Sequence, residues 1–130
     1  MPEKSIAEKM QIKPQARLLF VNPPEGYLLR MGDLPAGASL LAADSTENAD
    51  LIQVFVKDRV ELLAALESLP GRLSKNGALW IGYYKATSQF KTDINRDSIW
   101  PIATSYGLQP VRQIAIDEDW SALRFKLIEA

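Results

Sequence analysis

The sequence predicts an α/β domain of three layers, built on a mostly parallel sheet of about six strands that ends in a C-terminal antiparallel hairpin. Three observations predict it. Apolar runs of strand length at 17–21 (RLLFV), 51–56 (LIQVFV) and 78–84 (ALWIGYY) are nearly continuous, as strands covered on both faces are. Segments of helical spacing lie between runs, and strands separated by helices need crossover connections, hence parallel neighbours. The last two runs, VRQIAI (111–116) and ALRFKLI (122–128), are joined by a tight turn at DEDW (117–120), which only a hairpin accommodates. In the second of them Leu123, Phe125 and Leu127 alternate with Arg124 and Lys126, the pattern of a half-exposed antiparallel strand.

Each element has a local cause. Ser5 and Glu8 form an S-x-x-E capping box ahead of Ala7, Met10 and Gln11, predicting a short helix over 6–11 that Pro14 ends. This N-terminal helical segment, 1–14, is expected to pack on the domain. Asn22-Pro23-Pro24 stops the first strand. Pro24 suits a first helical position, and Tyr27, Leu28, Leu29 and Met31 continue as a helix of about two turns closed by Gly32. The turn DLPAG (33–37) leads into ASLLAA (38–43), a second apolar run with Asp44 at its end. In 58–73, Val60, Leu62, Leu63, Leu66, Leu69 and Leu73 make an amphipathic helix broken at Pro70-Gly71. Lys75-Asn76-Gly77 reads as the turn into the aromatic-rich fourth strand. KATSQFKTD (85–93) is a polar loop, longer than the usual strand–helix connection. A helix from about Asn95 through Ser105 should turn Ile94, Ile99, Ile102 and Tyr106 inward and end at Gly107, with Pro101 implying a kink or a late start.

The connection 44–50 (DSTENAD) constrains the topology. A typical strand is ~17–20 Å long, and a chain of this length reaches at most about 23–25 Å when extended. It can return as a bare crossover with no helix. Either part of one sheet edge is absent, or residues 38–43 are a short edge strand of undetermined direction; the first reading is preferred.

Composition excludes whole classes of chemistry. The 130 residues are 47% apolar and 24% charged, enough for a core and a solvated surface in one domain spanning 1–130. No cysteine means no thiolate metal site, thiol nucleophile or disulfide; no histidine removes the commonest general base and most transition-metal sites. With 15 basic and 16 acidic side chains the net charge is −1, so no global field recruits nucleic acid or an anionic membrane. The start, MPEKSIAEKM, lacks a signal-like apolar stretch, and no run approaches a membrane span, so a cytoplasmic protein is expected.

The segment ADLIQVFVKDRVELLAALESLPGRLSKNGALWIGYYK resembles the central part of an S-adenosylmethionine-dependent methyltransferase, and GLQPVRQIAIDEDWSALRFKL resembles that fold's closing hairpin. More narrowly, PPEGYLL, ADLIQVFV, KATS…KTD and AIDEDWSALRF together resemble a bacterial domain-of-unknown-function family of small intracellular proteins, over nearly the whole chain. The first resemblance implies a methyltransferase-like, Rossmann-like sheet, here lacking part of one edge. The second carries no established activity.

In an open α/β sheet, ligands bind beyond the carboxyl ends of the strands. A methyl-donor or dinucleotide site wants glycine in its first loop, because bare backbone must approach the ligand. Here Asn22-Pro23-Pro24-Glu25-Gly26 stands in that place: two prolines remove two amide donors, and Glu25 opposes a ligand carboxylate. The prolines are expected to have closed the pocket. Asp44 falls where an acid would hold a ribose, or simply opens a turn. Asn22, Glu25, Gly26 and Asp44 are thus the cofactor-site positions, and no cofactor is expected. The loop after the fourth strand offers Lys85, Thr87, Ser88, Lys91 and Thr92, with Lys57 at the end of the third strand; Arg72, Lys75, Lys85, Lys91 and Arg96 face only Asp93 over 71–96. Such a set could hold a small anion through charge-assisted hydrogen bonds, or be a solvated loop. Ser88-Gln-Phe-Lys91 matches S-x-x-K without its partner motifs, and Asp117-Glu118-Asp119 reads as a solvated turn, not a cation site. Neither a catalytic residue nor a metal ligand is assigned. Trp80, Trp100 and Trp120 read as core and rim packing. The expected function is a non-catalytic interaction or accessory domain, with a protein partner or small anionic ligand and no nucleic acid or membrane. The alternatives are an anion- or nucleotide-binding domain and an S-adenosylmethionine-dependent methyltransferase.

Overall fold

The computed structural model describes residues 4–42 and 44–128. Its elements in chain order are α1 (Ile6–Lys9), β1 (Arg17–Val21), α2 (Tyr27–Arg30), β2 (Ser39–Leu40), β3 (Ala49–Phe55), α3 (Arg59–Ser68), a 3-10 turn Pro70–Arg72, β4 (Leu73–Tyr84), α4 (Arg96–Thr104), β5 (Leu108–Ala115) and β6 (Trp120–Leu127). The six strands form one sheet in the order β2-β1-β3-β4-β6-β5. β2, β1, β3 and β4 are mutually parallel, and the β5–β6 hairpin adds to β4 antiparallel.

Alternation along the central strands divides the core in two. Ile52, Val54, Leu79, Ile81 and Phe125 meet Leu62 and Leu66 of α3 and Ile99 and Ala103 of α4 on one face. Leu18, Leu51, Phe55, Trp80 and Ala122 meet Ile6 and Met10 at α1, and Tyr27 and Met31 at α2, on the other. These are the three layers that the apolar runs and helical spacings predict.

The capping box predicted for the first helix is present, and two further caps appear that the sequence reading did not single out. Ser5 and Glu8 bond reciprocally across the first turn of α1. Asp58 caps α3 through the Glu61 N–H at 2.9 Å, and Asn95 and Ser98 cap α4 reciprocally. Other boundaries move. α1 stops at Lys9, two residues before the expected 11, because Gln11 turns to a left-handed φ of 58°. α2 starts after Gly26 (φ 74°), so Pro24 precedes the helix and is not its first residue. α4 runs through Pro101.

Three corrections concern the sheet. β2 is two residues, both exposed, not the run 38–43; Ala43 lies outside the described residues. Its direction is parallel to β1, with Arg17 opposite Ser39 and Leu18 opposite Leu40. The described residues of the return, 41, 42 and 44–48, form no helix. Lys75-Asn76-Gly77 is not a turn before β4 but an irregularity inside it: Asn76 takes φ 66°, and the pairing register with β3 shifts between Ala49 and Leu51. Gly77 is required there, since a Cβ would lie 2.8 Å from a Leu73 methyl and 2.9 Å from the Ser74 carbonyl. The hairpin strands begin earlier than the apolar runs suggested, at Leu108 and Trp120, because cross-strand pairing recruits residues that apolar periodicity alone leaves out. Among the described residues no helix is long and apolar enough to cross a membrane.

Candidate functional site

The carboxyl ends of β1, β3 and β4 meet the start of β6 at one edge of the sheet, since β6 runs antiparallel and Tyr84 pairs with Trp120. Four separated segments therefore converge: Asn22–Arg30 after β1, Lys57–Glu61 after β3, Tyr84–Phe90 after β4, and the hairpin turn at Asp117–Trp120. They enclose a cleft of about 660 Å³ lined by Asn22, Pro23, Pro24, Glu25, Arg30, Lys57, Glu61, Tyr84, Phe90, Asp117, Asp119 and Trp120. The volume falls within the range of small-molecule sites, roughly 300–1,000 Å³. The two prolines line an open cleft and do not fill it. Tyr27 and Tyr83 do not fill it either: Tyr27 is buried under α2 and Tyr83 belongs to the opposite layer.

The aromatic wall is continuous. The Tyr84 ring stacks on Phe90 with centroids 5.0 Å apart and lies 4.3 Å from Trp120. Trp120 in turn meets Phe55 edge-on at 5.0 Å. Phe55 packs closely over β4 because residue 82 is glycine; a Cβ there would come 2.8 Å from the Phe55 ring.

The polar lining is acidic. Glu25, Glu61, Asp117 and Asp119 face Arg30 and Lys57. Arg30 is already paired, its guanidinium 3.0 Å from the Asp117 carboxylate. Asp117 also accepts the backbone N–H groups of Asp119 and Trp120 at 2.8 and 2.9 Å. Burial works against its charged form, but these N–H donors and Arg30 outweigh it and hold the carboxyl below its ordinary range. Glu61 accepts the Lys57 backbone N–H at 2.8 Å.

Of the positions singled out from sequence, Asn22, Glu25 and Lys57 line the cleft, and Gly26 adjoins it as the left-handed residue before α2. Asp44 does not: it is exposed in the 41–48 connection and absent from the lining. The loop residues are occupied in holding the loop. The Lys85 backbone N–H bonds the Asp119 carbonyl at 2.8 Å, and the Ser88 hydroxyl donates to the Asp119 carboxylate at 2.9 Å. Thr92 donates its hydroxyl to the Lys57 carbonyl at 2.6 Å, while the Asp93 carboxylate accepts the Arg59 N–H at 2.8 Å. Thr87 and Lys91 are exposed and outside the lining. Lys57, Lys85, Thr87, Ser88, Lys91 and Thr92 thus do not converge on one point; only Lys57 reaches the cleft. Sequence reasoning missed Arg30, Glu61, Tyr84, Phe90, Asp117, Asp119 and Trp120. The hairpin offered a signal, because a strand antiparallel to β4 must begin where β4 ends.

Comparison with solved structures gives the fold a family likeness. The chain is similar to ribosomal protein L11 methylase from Lactobacillus delbrueckii subsp. bulgaricus, at 14% identity and a TM-score of 0.62, over 95% of this chain and 75% of that one. It is similar to fibrillarin from Aeropyrum pernix, a structure with natively bound S-adenosyl-L-methionine, at 10% identity and a TM-score of 0.64, over 88% of this chain and 67% of that one. It is also similar to the N-methyltransferase NodS from Bradyrhizobium japonicum WM9, at 19% identity and a TM-score of 0.56, over 87% and 85%. These neighbours share a methyltransferase-like Rossmann fold, the fold that the central segment and hairpin predict. No protein-family model and no curated protein sequence matches the chain, so the narrower resemblance to a family of small bacterial proteins finds no counterpart.

Proposed function

We propose that this methyltransferase-fold protein is a non-catalytic accessory domain, working in the cytoplasm, that receives a cationic group in the cleft at its strand ends. The observation that carries this reading is the lining itself: among the described residues it holds four carboxylates, an aromatic wall and, besides the paired Arg30, the single cation Lys57. An amine or guanidinium, from a small molecule or a partner's basic side chain, gains Coulomb attraction from the acids and ring contact from Tyr84 and Phe90. The lining has the wrong sign for the anion or nucleotide expected at this edge.

S-adenosylmethionine is the group the fold implies, and the residues present fit only half of it. Its sulfonium and ammonium suit Glu25, Glu61 and the aromatic faces. Its nucleoside half meets no acid from the second strand, since Asp44 is outside the cleft, and Pro23 and Pro24 supply no N–H to the first loop.

A second reading, S-adenosylmethionine-dependent methyl transfer, has the structural comparisons and the open cleft in its favour. One titration separates the two. Under the first reading, S-adenosylmethionine and S-adenosylhomocysteine raise the melting temperature no more than a simple alkylammonium ion at equal concentration, while a ligand at a hundred times its Kd would add about 2.7 kcal/mol. Saturable binding of both, weakened by Glu25→Gln and accompanied by methyl transfer to any acceptor, would overturn the non-catalytic reading.

A further inference from the structure

A second cavity, of about 390 Å³, lies at the opposite end of the sheet. The α1–β1 connection (Met10–Ala16) covers it, and its walls are the start of β3, the irregular start of β4 and Arg124 of β6. Arg124 pairs with Trp80, whereas the strand-end cleft sits at the Tyr84–Trp120 pair. The two sites are about 13 Å apart along β4, at ~3.3 Å per residue.

Its charge is the reverse of the cleft's. Lys13, Lys75 and Arg124 line it, against Asp50 alone. Asp50 is already occupied: it accepts the Arg17 backbone N–H at 2.8 Å, lies 3.3 Å from the Arg17 guanidinium, and accepts the Ser74 hydroxyl at 2.9 Å. Among the described residues of the lining, the three cations therefore have no uncommitted counter-charge.

Arg124 is the informative residue. It is half-buried, and its Nη1 reaches only the Gln11 side-chain carbonyl, at 3.4 Å. Its Nε is buried with no acceptor, and among the described residues no carboxylate lies within ion-pair distance. Arg112 of β5 stands opposite it. Burial, and then that like charge, push the guanidinium below its ordinary range. Trp80, its fully buried cross-strand neighbour, also has an indole N–H with no acceptor. A guanidinium partly withdrawn from water beside another, with a buried donor unfilled, is costly unless an anion completes it.

We propose that this cavity binds a small polyanion, carrying at least two negatively charged oxygens from phosphoryl or carboxylate groups, on Arg124, Lys75 and Lys13. Arg124 supplies a planar fork for an oxyanion, and the lysines supply point charges at the mouth. The site is independent of the strand-end reading and stands or falls separately.

The test is calorimetric titration with pyrophosphate and with citrate, at ionic strength matched by sodium chloride so that general screening cancels. Saturable one-site binding of either anion is expected, with a rise in melting temperature. Tighter pyrophosphate binding identifies phosphoryl ligands, and tighter citrate binding identifies polycarboxylates. Lys13→Ala with Lys75→Ala, at two exposed positions, should weaken binding at least tenfold, Arg124→Gln more, and Glu25→Gln at the other sheet end not at all. Absence of binding beyond the salt control, or unchanged affinity in the double lysine variant, would overturn the proposal. Should Arg124→Gln fail to fold, the lysine pair still decides.

Discussion

The Tyr27 hydroxyl donates a 2.7 Å hydrogen bond to the Gln53 side-chain carbonyl, and both residues are buried in the layer between α2 and the sheet. This bond ties the four-residue helix after the Pro-Pro loop to the central strand. Tyr27 also meets Phe55 edge-on at 4.8 Å and Phe20 at 6.3 Å, so it links the loop at one wall of the cleft to the aromatic wall opposite.

Tyr27→Phe removes the donor and leaves the fully buried Gln53 amide with no partner, at a cost of about 1–3 kcal/mol. Burial pushes the Tyr27 phenol well above its ordinary range, with the Gln53 bond opposing. Its contribution is therefore complete below the unfolded value, about pH 10, and is lost as the pH rises toward the folded value. Urea denaturation at pH 7 and pH 11 should show the wild-type advantage over Tyr27→Phe shrinking in alkali. A constant gap would contradict this account.

Asp117 joins α2 to the hairpin, and its two oxygens do different work. Arg30→Ala breaks an ion pair that is partly exposed and screened, and should cost about 0–1 kcal/mol. Asp117→Ala also leaves two turn N–H groups unpaired and should cost about 1–3 kcal/mol. Because the folded carboxyl is held low, its stabilisation is present above the ordinary carboxylate value, about pH 4, and disappears as the pH falls below it. Acid titration of stability should be shallower in Asp117→Asn. An equal acid slope in wild type and variant would be inconsistent with that.

Gly82→Ala places a methyl 2.8 Å from the Phe55 ring. The ring must shift against Tyr27 and Trp120, an overpacking cost of about 1–3 kcal/mol. Near-ultraviolet circular dichroism should change along with the melting temperature, because the displaced rings form the cleft wall. A variant with native spectrum and stability would show that Phe55 has room.

The loop 85–93 separates structural hydroxyls from solvated cations. Ser88→Ala removes the bond to Asp119 and the acceptor for the Phe90 N–H, and should cost about 1 kcal/mol. Lys85→Ala with Lys91→Ala should stay within about 0.5 kcal/mol of wild type. Chemical denaturation of both variants checks the order; equal costs would mean the loop is not held by its serine.

The apolar runs, the Ser5–Glu8 capping pair and the short link to the last strand made the layer order and the parallel sheet with its hairpin legible in the chain, because a capping box and two-sided burial are written in neighbouring residues. The short 44–50 connection likewise announced a curtailed sheet edge. Pairing decided the rest. Only alignment of β3 against β4 turned Lys75-Asn76-Gly77 from a turn into part of a strand, and only β6 lying antiparallel beside β4 brought Asp117, Asp119 and Trp120 to face Glu25 and Lys57. The sign of charge at each end of the sheet had the same origin. Lys13, Lys75 and Arg124 are remote in sequence and share a cavity through the pairing of β4 with β6 and the packing of the α1–β1 connection over them, which no local pattern encodes.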